Sequence, residues 1–253
     1  MCGRLFIARA PESYRAFYGY PERPNFPGRY NVAPTQPVPV VLAERGQRHF
    51  RLMRWGFWPG WLKDPKTFPL VINARVETIA EKPTFRGALR HRRCVFLADG
   101  FYEWRREGTG RRATKTPFAI RRADGAPMAL AGLWETWIGA DGSEVDTAAI
   151  VTCGANGTLS AVHDRMPAIL APDRLAEWLD VADADASRAA ALCRPCPDGW
   201  LRLDPVSDRV NSVRNDDADL IAPVDGPRPE ASAEADRDGP ALSSDEDAQG
   251  ALF

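Results

Sequence analysis

Long hydrophobic segments are missing from this sequence of 253 residues. No run of about 18 apolar residues occurs, so no membrane-spanning helix is expected. The N-terminus also lacks a basic stretch followed by an apolar segment, which argues against a secretory signal. Cysteine is scarce and odd in number, with 5 residues. We therefore expect reduced thiols in a cytoplasmic protein and no disulfide framework.

A large net charge is also missing, but the charge is unevenly placed. The formal net charge is −1 at pH 7, and residues 225–253 hold eight acidic residues against two arginines. That segment is poor in aromatics and rich in Ala, Asp, Gly, Pro and Ser, so it cannot bury enough apolar surface to fold. We predict one folded domain over residues 2–223 and a disordered acidic tail over 224–253. The remaining body is mildly basic, which permits an anionic partner.

Strand signals outnumber helix signals along the chain. Apolar runs separated by Asp-Gly turns follow one another as hairpins and not as βαβ units. The predicted strands are Val38 to Ala43, His49 to Trp55, Cys94 to Ala98, Phe101 to Arg105, Pro117 to Arg121, Met128 to Trp137 and Thr147 to Thr152. The predicted helices are Pro11 to Tyr18, Pro172 to Leu179 and Ala184 to Leu192, and the predicted loops are residues 28–34, 56–61 and 108–112. The fold class is therefore α+β, a single domain with a mainly antiparallel, curved or barrel-like sheet and a few short peripheral helices.

The second residue carries the most distinctive chemistry. Cys2 follows Met1, and removal of that methionine would leave an α-amine and a thiol on adjacent carbons. The amine can condense with an aldehyde, and the thiol can then add to the imine carbon and close a thiazolidine ring. Gly3 removes bulk beside this nucleophile and Arg4 places a positive charge near it. The alternative is an incidental cysteine at a frayed terminus.

Two further stretches place polar side chains in apolar surroundings. Asn73 and Arg75 share a face if their segment is extended, and they offer an amide and a phosphate-type donor. The alternative is a helix entry with Asn73 near the cap. Glu103 lies between aromatic residues of a predicted strand, where a carboxylate can act as an acid or a base. The alternative there is a glutamate that faces solvent.

Histidine is scarce as well, with 3 residues. His163 has apolar residues before it and charged residues after it, and it is a candidate proton shuttle. The alternative is a structural histidine in a loop. Cys193 and Cys196 form one CxxC motif, which is half of a zinc site at best, and no second motif accompanies it. We predict neither a metal nor a cofactor.

The ordered motifs of the chain resemble the SRAP (SOS-response-associated peptidase) family of abasic-site-processing proteins. The motifs that carry the resemblance are Met1 to Arg4, Arg29 to Pro34, Trp55-Gly56, Ile72 to Glu77, Gly100 to Trp104 and His163 to Pro167. The resemblance covers about residues 2–223. It implies the SRAP fold and a covalent thiazolidine crosslink between Cys2 and the aldehyde of an abasic site in single-stranded DNA, which shields the lesion during the DNA damage (SOS) response.

The resemblance also implies a role for individual residues. The implied catalytic residues are Cys2, Asn73, Glu103 and His163. The implied DNA-binding residues are Gly3, Arg4, Asn31, Pro34, Trp58, Trp61, Arg75, Thr152 and Arg165. It further implies lyase-like Schiff-base chemistry, a peptidase (hydrolase) activity that removes Met1, and a monomer acting on DNA in the bacterial cytoplasm or nucleoid.

Two other classes of function remain open on the sequence. One is an N-terminal cysteine peptidase that acts on other proteins with Cys2, His163 and Asn73 as its catalytic set. The other is a module that binds single-stranded DNA without a covalent bond.

Overall fold

The computed structural model describes residues 2–108, 114–182 and 185–225. Its strands are β1 Leu5–Ile7, β2 Arg29–Val32, β3 Pro37–Glu44, β4 Gln47–Trp55, β5 Asn73–Arg75, β6 Arg93–Ala98, β7 Gly100–Glu107, β8 Thr114–Arg122, β9 Met128–Ile138, β10 Glu144–Gly154, β11 Arg165–Pro167 and β12 Leu201–Pro205. Its α-helices are α1 Pro11–Tyr18, α2 Arg86–His91, α3 Gly157–Ser160, α4 Leu175–Leu179 and α5 Ala186–Ala191. Short 3₁₀ helices lie at Pro65–Thr67, Pro172–Arg174, Asp198–Trp200, Asp208–Asn211 and Ala218–Ile221.

The larger sheet closes on itself. Strands β4, β3, β6 and β9 are neighbours in that order, and β10 completes the ring by pairing with β9 on one edge and β4 on the other. The C-terminal half of β10 then exchanges these partners for β5 and β11. All pairings are antiparallel except those of β10 with β4 and β5. Closure removes the sheet edges and gives a barrel with a packed interior.

The second sheet is open and antiparallel, in the order β12-β8-β7-β1-β2. The chain passes from the barrel to this sheet at the corner between β6 and β7. A side chain at Gly100 would place its Cβ 2.2 Å from the Ile120 carbonyl oxygen and from the Phe6 ring, so only glycine fits there. The corner brings β1 against β7 and so sets the position of the chain's first residues.

Asp99 holds this corner together. Its Oδ2 accepts hydrogen bonds from the Ala8 and Arg9 amides, at 2.6 and 2.9 Å, and from the Tyr14 hydroxyl, at 2.6 Å. The Arg9 guanidinium binds Oδ1 at 2.5 Å. One carboxylate thereby joins the β6–β7 corner, the end of β1 and helix α1. Burial, together with the Asp99 charge, raises the pKa of Tyr14, so this phenol stays a donor.

The predicted fold class is confirmed. The helix predicted over Pro11 to Tyr18 begins and ends there, with Gly19 at φ 71° as its left-handed C-cap. The helix predicted over Ala184 to Leu192 is α5, although residue 184 itself lies outside the described residues. So do residues 109–112 of the predicted hairpin loop and 226–253 of the predicted tail. No helix among the described residues is long and apolar enough to cross a membrane.

One prediction about the backbone is wrong. Residues 28–34 were expected to form an irregular loop, but residues 29–32 form strand β2 on the edge of the open sheet. Its partner β1 is remote in sequence, and the pairing carries a register irregularity between Leu5 and Ile7. Asp216 accepts hydrogen bonds from the Tyr30 and Asn31 amides, so a third segment also holds the strand.

Candidate active site beside the N-terminus

Cys2 is fully buried, at 0% exposure, as part of the main hydrophobic core. It lies three residues before the start of β1, where Leu5 pairs with Phe101 of β7. From the barrel side, the Asn73 side chain reaches it with an Nδ2–H donor 2.9 Å from the Cys2 carbonyl oxygen. The alternative of a frayed terminus is therefore wrong, because two sheets hold this residue.

Glu103 is the charged neighbour of Cys2. It is 3% exposed on β7, so the alternative of a solvent-facing glutamate is wrong. The pKa of the Cys2 thiol lies well above its usual value, first because of burial and second because of the negative charge of Glu103. The thiol is therefore neutral at physiological pH, with a carboxylate close enough to influence its ionisation.

Asn73 stands on strand β5, in register with Ile150 of β10, and not at a helix entry. The alternative that placed it near a helix cap is thus wrong. Its Nδ2 is used on Cys2, whereas its Oδ1 is buried and has no hydrogen-bond partner within residues 2–108, 114–182 and 185–225. A buried acceptor without a donor is costly. The amide therefore suits a ligand or an N-terminal amine that brings an N–H group to Oδ1.

Arg75, Thr152 and Arg165 come together beside Asn73. Arg75 pairs with Thr152 in the β5–β10 register and is exposed, whereas Thr152 is fully buried. The Arg165 Nη2 lies 2.8 Å from the Thr152 carbonyl oxygen and 3.3 Å from its hydroxyl. Arg165 also forms a two-point ion pair with Glu77, at 2.5 and 2.9 Å. Of these arginines, Arg75 is the one that faces solvent.

His163 lies in the turn that leads into β11. Its Nδ1 is 3.0 Å from the Arg165 backbone nitrogen and 2.9 Å from Asp164 Oδ1. The amide needs a lone pair on Nδ1, whereas the carboxylate needs a proton there. The Asp164 side chain is 87% exposed, so solvent screens its contact with His163. The hydrogen bond from the fixed Arg165 amide therefore determines the tautomer of the ring. In this geometry the neutral ring carries its proton on Nε2.

Arg4 and Asn31 bind each other. The Arg4 Nη1 donates to Asn31 Oδ1 at 2.6 Å and to the Val210 carbonyl at 2.8 Å, and its guanidinium lies over the Trp104 ring. Asn31 is fully buried, and its Nδ2 contacts the carbonyls of Val210, Ser212 and Asn215. Both residues thus hold residues 207–217, here called the C-terminal strap, against the open sheet. Among the other predicted residues, Gly3 and Pro34 are partly exposed.

Trp58 and Trp61 lie in the segment that follows β4. The Trp58 amide donates to the Thr147 hydroxyl at 3.0 Å. Trp61 is 60% exposed and packs edge-on against Phe68, with ring centroids 5.9 Å apart. Of the predicted residues, the structure brings Cys2, Glu103 and Asn73 together, whereas these contacts of Trp58 and Trp61 are with Thr147 and Phe68.

The sequence predicts no role for Glu77, but the structure makes it the ion-pair partner of Arg165. The signal in the sequence was its position two residues after Arg75, which puts both side chains on the same face if the segment is extended.

The cysteines of the CxxC motif are buried and carry free thiols. Among the described residues no group of three or more His, Cys, Asp or Glu side chains is arranged to hold a metal ion.

Comparison with known proteins defines the class to which this fold and site belong. Residues 1–213 match the SRAP family, described as SOS response associated peptidase. The chain is 39% identical over 234 residues to the Escherichia coli abasic site processing protein YedK, covering 88% of this chain and 100% of YedK. It is 35% identical over 224 residues to the Bacillus subtilis abasic site processing protein YoaM, covering 87% and 97% of the two chains. A crystal structure of a protein from Bacteroides thetaiotaomicron matches the fold with a TM-score of 0.77 at 23% identity, covering 88% of this chain and 100% of that one. The chain belongs to the SRAP family.

Proposed function

We propose that this protein processes abasic sites in single-stranded DNA by forming a covalent thiazolidine with Cys2, and so protects the lesion during DNA repair. One observation carries the proposal. Cys2 lies between Asn73, which donates a hydrogen bond to its carbonyl, and Glu103, whose negative charge raises the pKa of its thiol. The names of the relatives supply the substrate class, since YedK and YoaM are called abasic site processing proteins.

The chemistry begins with loss of Met1, a hydrolysis that frees the Cys2 amine. That amine attacks the aldehyde of the ring-opened abasic sugar, and loss of water gives an imine. The thiol sulfur then bonds to the imine carbon while the thiol proton passes to the imine nitrogen, which closes the ring. We assign to Glu103 the acceptance and return of that proton, which its electrostatic effect on the Cys2 thiol supports. Asn73 Oδ1, which has no hydrogen-bond partner among the described residues, is suited to orient the amine.

His163 is assigned the proton transfer to and from the sugar oxygen. Its proton lies on Nε2, because Nδ1 accepts the Arg165 amide. The same group would return a proton when the thiazolidine opens, so we assign it to reversal as well. If the imine persists without ring closure, β-elimination can nick the strand, which is the lyase-like side reaction. A single chain supplies every residue of this cluster, so the proposal requires only a monomer.

The contacts of Asn73 argue against the peptidase alternative. In a Cys-His-Asn catalytic set the asparagine oxygen accepts the N–H of the histidine, whereas Asn73 Oδ1 has no hydrogen-bond partner among the described residues. We therefore restrict the proposed peptidase activity to the bond after Met1. A casein-type substrate left intact by the wild type would support this restriction.

The test is intact mass after incubation with an oligonucleotide that carries one abasic site. Wild type should lose Met1 and gain one oligonucleotide less one water. Cys2→Ala keeps the amine, so it should give an imine that borohydride traps but no stable adduct. Cys196→Ala is the matched control, because Cys196 is also buried and free, and it should behave as wild type. An equally stable adduct on Cys2→Ala, or active protein that retains Met1, would contradict the proposal.

A further inference from the structure

Glu77 lies just after strand β5, which carries Asn73, and its carboxylate binds Arg165 at the start of β11. It follows β5 by two residues, and the intervening Val76 amide donates to the Thr152 carbonyl at 2.9 Å. The same carbonyl accepts the Arg165 Nη2 at 2.8 Å. Both lone pairs of this carbonyl oxygen are therefore used, one by the segment of Glu77 and one by its ion-pair partner.

The ion pair between Glu77 and Arg165 directs the guanidinium inward. Each carboxylate oxygen faces its own guanidinium nitrogen, at 2.5 and 2.9 Å, which is the two-point geometry that fixes orientation as well as distance. This hydrogen bonding lowers the pKa of Glu77 and raises that of Arg165, so both stay charged. The Glu77 side chain is 51% exposed, but that of Arg165 is only 15% exposed.

The backbone of Arg165 is in turn the group that sets the proton on His163. Its amide donates to His163 Nδ1 at 3.0 Å, and its residue pairs with Gly154 at the first position of β11. A shift of Arg165 therefore moves the amide that fixes the imidazole tautomer. Contacts thus run without a break from the Glu77 carboxylate through Arg165 to the ring of His163.

We propose that Glu77 is a positioning residue of this site, which holds Arg165 against Thr152 and thereby keeps His163 in the geometry that donates a proton from Nε2. The inference rests on the proposed function. It also implies that Glu77 lowers the affinity for DNA. Its negative charge neutralises Arg165, which would otherwise be available to bind a DNA phosphate.

Loss of the Glu77 charge should therefore lower the crosslinking rate but not the DNA affinity, and a saturation experiment measures the two separately. Glu77→Gln keeps the shape of the side chain and removes its charge. The crosslinking rate at saturating abasic-site oligonucleotide should fall on the order of tenfold, less than the ~10²–10⁴-fold of losing a proton-transfer group outright. The oligonucleotide concentration at half-maximal rate should stay equal or decrease, because one repulsive charge is gone.

Glu81→Gln is the matched control. Glu81 is exposed, lies four residues further on, and forms no ion pair within the described part of the chain. Its variant removes the same charge, so it should leave the saturating rate unchanged. A charge swap, Glu77→Arg with Arg165→Glu, provides the rescue, since it should recover part of the rate that each single change loses.

The outcomes separate cleanly. Glu77→Gln should melt within about 4 °C of wild type, since a half-exposed ion pair contributes little to stability. A saturating rate within twofold of wild type would overturn the inference. So would a melting temperature lowered by more than about 10 °C with rate and affinity falling together, because that pattern is a structural role. Failure of the wild type itself to crosslink would instead overturn the proposed function.

Discussion

Asn31 offers a sharp test of whether a predicted DNA contact is a structural residue. Replacing it by alanine removes donors from the Ser212 and Asn215 carbonyls, which it contacts at 3.0 and 2.7 Å, and an acceptor 2.6 Å from Arg4. A buried polar group left without a partner costs about 1–3 kcal/mol. The guanidinium of Arg4 keeps its bond to the Val210 carbonyl, so the cost there is small. We therefore expect Asn31→Ala to lower the free energy of unfolding by about 3 kcal/mol.

Urea denaturation measures this directly, and thermal melting should show a decrease of roughly 6–12 °C for a domain of this size. Asn211→Ala is the control within the same C-terminal strap. Its exposed side chain accepts one hydrogen bond, from Trp104 Nε1 at 2.8 Å, and losing it should cost less than about 1 kcal/mol. The reasoning fails if Asn31→Ala is as stable as Asn211→Ala while DNA affinity drops, because Asn31 would then act on DNA directly.

Three further predictions concern the site, the corner and the pH dependence of stability. Glu103→Gln removes a charge that raises the pKa of the Cys2 thiol, so iodoacetamide at pH 8 should alkylate Cys2 faster, as measured by intact mass. Crosslinking should slow by ~10²-fold or more, because the proton-transfer group is lost. Slower alkylation of the variant would refute this effect of Glu103 on the thiol. Tyr14→Phe removes the 2.6 Å hydrogen bond to the Asp99 carboxylate and should cost about 1.5–3 kcal/mol in urea denaturation, and a cost below about 0.5 kcal/mol would contradict that role. The depressed pKa of Glu77 stabilises the fold above the usual glutamate pKa of about 4.3, so the stability difference between wild type and Glu77→Gln should be constant above about pH 5 and shrink as pH falls through that depressed pKa. If the stability difference between wild type and Glu77→Gln instead grew as the pH fell, the pKa of Glu77 would not be depressed in the folded protein.

The strands were predictable where their signals are local. Met128 to Trp137 and Thr147 to Thr152 flank an Asp-Gly turn, and they form the hairpin of β9 and β10. Closure of the barrel was not predictable in detail, because it depends on parallel pairing of β10 with β4 and β5. Those partners lie far away in sequence and share no turn with β10. The same reason explains why β2 was taken for a loop.

The site was predictable in its chemistry but not in its geometry. Cys2, Asn73 and Glu103 stood out as polar or nucleophilic residues in unusual surroundings, and folding brings them together. Asn31 was predicted as a DNA contact only from the family resemblance, and its amide hydrogen-bonds inside the protein. Trp58 illustrates a further limit, since its amide binds the hydroxyl of Thr147, and the sequence alone does not reveal this contact between remote residues.

Burial of the Cys2 thiol fits the order of bond formation in the proposed reaction. Reactive cysteines usually have a lowered pKa, whereas burial and Glu103 raise that of Cys2. A thiol that had to attack first would be poorly served by this arrangement. In thiazolidine formation the amine attacks first, and the thiol adds to an imine already held beside it, so a thiolate is not needed beforehand. A neutral, buried thiol is also protected from oxidation until an aldehyde arrives. In the proposed reaction, Glu103 is the local base that takes the thiol proton as the carbon–sulfur bond forms.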